Sequence, residues 1–166
     1  MAVNMASINK KSFEYDPHTL PNGENFKFHL VVSEWNKTIT YSLSSAAIKT
    51  LLEAGVKEEN ILIWSVPGSF ELIYGSKKAQ KNNPNAVIAI GSIIQGQTKH
   101  FEYICQAVTH GIKDLNVKSD VPVIFCVLTD YNIDQAKARS GGKYGNKGVE
   151  AAITALKMAE LAPNSN

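Results

Sequence analysis

Arginine is almost missing from this chain: of 17 basic residues, only Arg139 is not a lysine. Fifteen acidic residues leave a net charge of +2, and no basic run appears, which argues against a nucleic-acid partner. Cysteine is nearly as scarce. Cys105 and Cys126 lack the spacing of a zinc knuckle or a redox pair, so no metal is expected and both read as small buried apolar residues. No apolar run is long enough to span a bilayer, so no membrane partner is expected. The first residues lack the apolar core of a signal peptide, which points to a reducing, cytoplasmic setting. The clustered glycines of a dinucleotide site are also missing: after the first predicted strand stands Glu34-Trp35-Asn36-Lys37.

What is present is ordinary for a globular chain. A hydrophobic content of 44% over 166 residues suits one domain with one sizeable core. Residues 1–24 are polar, hold Pro17, Pro21 and Gly23, and read as an arm that is flexible or packs on a neighbouring subunit, with Ser12 to Tyr15 able to pair as a short edge strand. Residues 25–166 read as a single domain. Apolar runs at 26–33, 60–66, 86–90 and 122–128 predict strands. Helical spacing predicts helices over 38–54, 70–81, from about 98 onward, 133–140 and 149–161, with a polar loop at 143–148 before the last. Strands alternating with helices predict an α/β fold, with a mainly parallel sheet of about four to five strands covered on both faces, a three-layer αβα sandwich.

One stretch stands out: Gly91-Ser92-Ile93-Ile94-Gln95-Gly96-Gln97-Thr98-Lys99-His100-Phe101. It leaves a strand and opens a helix, the place where open α/β sheets bind ligands. Gly96 permits a close backbone approach. Gln97 and Thr98 fall where free N–H groups and the helix dipole attract an anion such as phosphate, with Thr98 as the expected N-cap. His100 sits in the first turn, where the dipole opposes imidazolium and favours a general base. An ordinary capped turn with a solvated histidine fits the same residues. Other loops at the same sheet edge carry Trp35, which could stack on a heterocycle or simply pack, and Glu71, which could bind a ligand or simply cap a helix. Arg139 suits a phosphate or carboxylate, though it also reads as a surface charge. His29, inside the first strand, reads as a satisfied core histidine. These loops are expected to share one crevice.

Taken together, the chain from Phe26 to Ala162 resembles the lumazine synthase family. The blocks that carry the resemblance are Glu34-Trp35-Asn36, Val66-Pro67-Gly68-Ser69-Phe70-Glu71, Gly91 to Phe101, Pro122-Val123-Ile124-Phe125 with Val127-Leu128-Thr129, Gln135-Ala136 with Arg139, and Gly145-Asn146-Lys147-Gly148 with Glu150-Ala151-Ala152. The resemblance implies a flavodoxin-like sandwich and a transferase of riboflavin biosynthesis. Its two substrates would be 5-amino-6-(D-ribitylamino)uracil and 3,4-dihydroxy-2-butanone 4-phosphate, joined with loss of phosphate and water and without a cofactor. By the same resemblance Trp35 stacks on the pyrimidine, Ser69, Phe70 and Glu71 hold the ribityl chain and ring, and the backbone of Ser92, Ile93 and Ile94 reads the ring's polar edge. Gln97 and Thr98 hold the phosphate and His100 transfers protons. Phe125, Arg139 and Lys147 come from the adjacent subunit.

Two positions depart from the family's pattern: Gln95 stands where many members have a basic residue, and Cys126 where many have glycine, adding volume next to Phe125. Family members form pentamers, and some build a sixty-subunit icosahedral shell. Pentameric members often carry an insertion between the last two helices, so the short link at 140–148 points to the shell. Two other readings compete, a flavin- or nucleotide-binding module without catalysis and a shell-forming scaffold without activity. The set Trp35, Glu71, His100 and Arg139 argues against the scaffold.

Overall fold

The computed structural model describes Asp16 and residues 19–161. The strand expected at 12–15, most of the arm at 1–24 and Pro163 lie outside the described residues.

Four parallel strands form the central sheet: β1 (Phe28–Ser33), β2 (Ile61–Val66), β3 (Ala86–Ile94) and β4 (Val123–Asp130), in the order β2-β1-β3-β4. β3 is buried from Ala86 to Ile93 with no polar alternation. A strand covered on both faces must read this way, because neither of its sides meets water. Five helices supply the cover: α1 (Lys37–Glu53), α2 (Leu72–Gln80), α3 (His100–Lys118), α4 (Ile133–Arg139) and α5 (Lys147–Leu161).

Two apolar clusters divide the helices into layers. On one face Leu30, Ile88, Ile90 and Cys126 pack against Leu43 and Leu51 of α1 and Leu156 of α5. On the other face Val31, Val87, Ala89 and Val127 pack against Leu72 of α2 and Val108 of α3. Each fully buried leucine or isoleucine contributes about 1.5–3 kcal/mol. The molecule is therefore a three-layer, flavodoxin-like αβα sandwich. Among the described residues no helix is long and apolar enough to cross a membrane.

Some element ends differ from the sequence expectation, and the differences bear on function. β3 continues to Ile94 and β4 to Asp130, so the segment 91–94 is strand rather than loop. The cause is pairing: the β3–β4 register runs on through Ile94↔Asp130, whereas β1 and β3 separate after Val32↔Ile90. α2 starts at Leu72, not Phe70. The link between α4 and α5 is a small hairpin, β5 (Ser140–Gly142) with β6 (Gly145–Asn146), rather than a plain loop.

Candidate active site

The chain leaves β1 for β2 on one side and returns across it to β3 on the other. The connection leaving β1 turns towards β2 and the one leaving β3 turns towards β4, so they diverge at the carboxyl ends of β1 and β3 and open a crevice there. β3 continues four residues past its last pair with β1, so the segment 91–94 is unpaired on the β1 side and its backbone faces this crevice.

Several contacts hold its walls. Asn36 adopts a left-handed conformation (φ 55°, ψ 46°) at the start of α1, which an asparagine tolerates better than most residues. Its Nδ2 donates to the Ser92 carbonyl at 2.9 Å. This ties the loop carrying Trp35 to β3. The Glu34 N–H donates to the Val66 carbonyl at 2.8 Å and the Ser65 hydroxyl to Glu34 Oε1 at 2.7 Å, so the same loop is also fastened to β2. Trp35 itself is 71% exposed and Phe70 51%. This exposure leaves both aromatic side chains available to a ligand.

Ser69 is buried against β3. A Cβ on Gly91 would lie 2.7 Å from Ser69 Oγ and 2.9 Å from Leu72 Cδ1, so only glycine lets the start of α2 come this close. Glu71 precedes α2 but makes no side-chain capping bond, which removes capping as the account of its carboxylate. Ser33 Oγ and Ser92 Oγ are buried with no protein partner, adding unused hydrogen-bonding capacity at the ends of β1 and β3.

The loop after β3 is solvent-facing from Gln95 to His100. Its first residue is anchored: the Gln95 N–H donates to the Asp130 carbonyl at 3.0 Å. Gly96 has open space where a Cβ would go and an ordinary backbone conformation, so neither packing nor strain in this chain requires glycine there. Lys99, not Thr98, occupies the N-cap position of α3, because the helix begins at His100. Thr98 still contributes, since its Oγ1 accepts from the His100 N–H at 3.4 Å. Gln97 and Thr98 thus sit before an exposed helix N-terminus, where anions are stabilised.

The remaining predicted residues line a second depression, a cleft of about 1180 Å³ on the outer edge of β4. Its walls include Phe125, Asp130, Arg139, Lys147 and Glu150, and none of Trp35, Ser69, Phe70, Glu71 or His100. The expectation of one crevice shared within a single chain is therefore not met. The reason is topological. β4 is the edge strand, and Phe125 and Thr129 alternate onto the part of its face that α3 leaves uncovered. Arg139 and Lys147 reach this edge from the end of α4 and the start of α5.

Charges in this cleft are paired unevenly. Lys147 Nζ contacts both Glu150 oxygens, at 2.7 and 2.9 Å. Arg139 Nε lies 3.6 Å from Oδ1 of Asp130, whose side chain is only 5% exposed. Burial raises the Asp130 carboxyl above its ordinary value, and Arg139 beside it offsets this only in part. Asp130 and Asn36 have roles that sequence reading missed. An aspartate in a turn-like run and an asparagine after a tryptophan gave no signal, since each acts on residues distant in sequence.

Cys126 faces the α1–α5 layer, the opposite side from Phe125, so the volume it adds lies in that layer. Its thiol donates to the Lys147 carbonyl at 3.7 Å, and burial, with Glu150 nearby, pushes it up to about 12. Cys105 is only partly buried. The described residues bring no three His, Cys, Asp or Glu side chains together as a metal site.

Against known proteins, a family model described as 6,7-dimethyl-8-ribityllumazine synthase matches residues 25–163. A protein of that name from Christiangramia forsetii is 57% identical over 159 residues, covering 95% of each chain. The one from Flavobacterium johnsoniae is 58% identical over 158 residues, covering 95% of this chain and 83% of its own. The one from Porphyromonas gingivalis is 51% identical over 158 residues, covering 95% and 98%. With the crevice beside β3 and the cleft on β4 already in place, this match over most of its length identifies the chain as a member of the 6,7-dimethyl-8-ribityllumazine synthase family.

Proposed function

We propose that this protein is a 6,7-dimethyl-8-ribityllumazine synthase, a transferase that condenses 5-amino-6-(D-ribitylamino)uracil with 3,4-dihydroxy-2-butanone 4-phosphate in riboflavin biosynthesis. The observation that carries the reading is the exposed loop from Gln95 to His100, which opens α3 directly after β3, the strand that Asn36 and Ser69 meet at Ser92 and Gly91. It joins an anion site to an aromatic and hydrogen-bonding surface for a ring that carries a hydroxylated chain.

In this reading the substrate's own 5-amino group attacks the butanone carbonyl, water leaves to give an imine, phosphate is eliminated, and the ribitylamino nitrogen closes the ring with loss of a second water. The protein orients two reactants and moves protons. Trp35 and Phe70 pack the pyrimidine, Glu71 accepts from ribityl hydroxyls, and the backbone of Ser92, Ile93 and Ile94 meets the ring's polar edge. Gln97 and Thr98 hold the phosphate, and His100 relays protons. Phe125, Arg139 and Lys147 serve the site of an adjacent chain, which accounts for their separation from the crevice within one chain. The assembly is a pentamer with sites between neighbours, and the compact β5–β6 hairpin favours a sixty-subunit shell over an isolated pentamer. A cytoplasmic location and an N-terminal arm at 1–24 belong to the same reading.

An absorbance assay tests it. Purified protein is mixed with both substrates and the lumazine chromophore is followed, with Arg139→Ala and a protein-free blank alongside. Protein-dependent product that falls in the variant is the expected result. A rate no greater than the blank, from folded and assembled protein, would sink the reading.

A further inference from the structure

We propose that Asp130 is a positioning residue for substrate phosphate: its carboxylate faces the Nε edge of Arg139 and leaves the outer end of the guanidinium free to grip the phosphate. This deepens the proposed function and rests on the assignment of Arg139 made there.

The two side chains differ in how firmly they are held. Asp130 ends β4, pairs with Ile94 of β3, and receives the Gln95 N–H on its carbonyl at 3.0 Å. Its carboxylate is thus fixed to the sheet. Arg139 ends α4 with its side chain 50% exposed. A long, rotamer-rich side chain must lose that freedom to bind, and a fixed partner at one edge removes part of the loss beforehand. Nε lies 3.6 Å from Asp130 Oδ1, so Asp130 stands at the side edge of the guanidinium and not at the end edge made by the two NH₂ groups. Those groups form the fork that matches a phosphate.

Fold stability does not explain this pair. Asp130 Oδ2 is buried with no hydrogen-bond partner, and Arg139 is too exposed to compensate fully for a desolvated carboxylate. The carboxyl is raised by burial in spite of the arginine beside it, as a net unfavourable environment requires. An uncharged residue of the same shape would serve the sheet better. What the carboxylate adds is a direction for the chain's one arginine.

The sign of the effect separates this from simple charge. As a negative charge near the phosphate, Asp130 would weaken binding, and Asp130→Asn would tighten it. As a positioning residue it strengthens binding, and the same change weakens it. Asp130→Asn, Arg139→Ala and the double variant, all as the assembled full-length enzyme, are compared for KM of each substrate, inhibition by inorganic phosphate, and thermal midpoint. The expected outcome for Asp130→Asn is about a tenfold rise in KM for the butanone phosphate and a similar weakening of phosphate inhibition. KM for the pyrimidine stays unchanged, the midpoint does not fall, and the double variant is no worse than Arg139→Ala. Tighter or unchanged phosphate binding in Asp130→Asn, with Arg139→Ala impaired, would overturn the role of Asp130 alone, as would losses that add in the double variant. An active parent with Arg139→Ala unimpaired would overturn the premise that Arg139 binds phosphate. Should Asp130→Asn fail to assemble, Asp130→Ser is judged by the same criteria.

Discussion

Lys147 cannot stand in for Arg139, although both cations line the β4 cleft. Its ammonium is engaged by both oxygens of Glu150, whereas the guanidinium is held at one edge only. Arg139→Ala is therefore expected to raise KM for the phosphate substrate and to lower the rate strongly. A charge-assisted bidentate contact in a partly buried site amounts to roughly 2–4 kcal/mol; steady-state kinetics with each substrate varied in turn checks this. His100→Ala should cost about 10²-fold or less in rate, the lower end of general acid–base effects, because the substrates bring their own nucleophile. A loss beyond about 10⁴-fold with intact assembly would mean that His100 does more than relay protons.

At the scale of elements, the site depends on how closely α2 and α4 are set against the sheet. Gly91→Ala would drive a methyl into Ser69 Oγ and Leu72 Cδ1, both on or beside α2. Overpacking of this kind costs about 1–3 kcal/mol, read as a lower urea midpoint, and it displaces Ser69 from the crevice. α4 is short and relies on its cap. Asn132 Oδ1 accepts from the Gln135 N–H at 2.9 Å, and Gln135 Oε1 accepts from the Tyr131 N–H at 2.9 Å. Asn132→Ala should lower stability by about 1 kcal/mol. It should also raise KM for the phosphate substrate selectively, because Arg139 is the last residue of α4; equal changes in both KM values would count against that link.

Across the whole molecule, pH acts through two buried groups of opposite sign. His29 is buried against Trp64, with ring centroids 5.8 Å apart, and Nδ1 has no partner, so it is less satisfied than the sequence suggested. Burial lowers its pKa below 6.5, and a hydrogen bond to the Ala79 backbone offsets this only in part. Above pH 6.5 folded and unfolded chains are both neutral there. As pH falls, the unfolded chain takes the proton first, so stability is lost from 6.5 down through the folded value. Asp130 works the other way: its raised carboxyl contributes stability below 3.8 that is lost as pH rises through its folded value. The urea midpoint should therefore drop between about pH 7 and pH 5, and His29→Phe should flatten that drop. An unaltered slope would clear His29. The assembly has its own measurement: sedimentation giving a particle near sixty chains is expected, and one near five would remove the shell.

The sequence by itself determined the fold class, because uninterrupted apolar runs such as Ala86 to Ile90 can be satisfied only between two helical layers. It also determined that an exposed polar segment joins β3 to α3, since a glycine-punctuated polar run between a strand and a helix is a local pattern that local physics can read. The tertiary structure decided the rest. Whether β3 stops at Ile90 or Ile94 depends on β4 continuing beside it after β1 has ended, and no property of Ser92 or Ile93 alone contains that. That Asn36 holds Ser92, that Asp130 faces Arg139, and that the predicted residues fall into a crevice and a separate edge cleft depend equally on strand order. Strand order is set by which long-range pairing buries the most apolar surface, a sum over the whole chain rather than a property of any stretch of it.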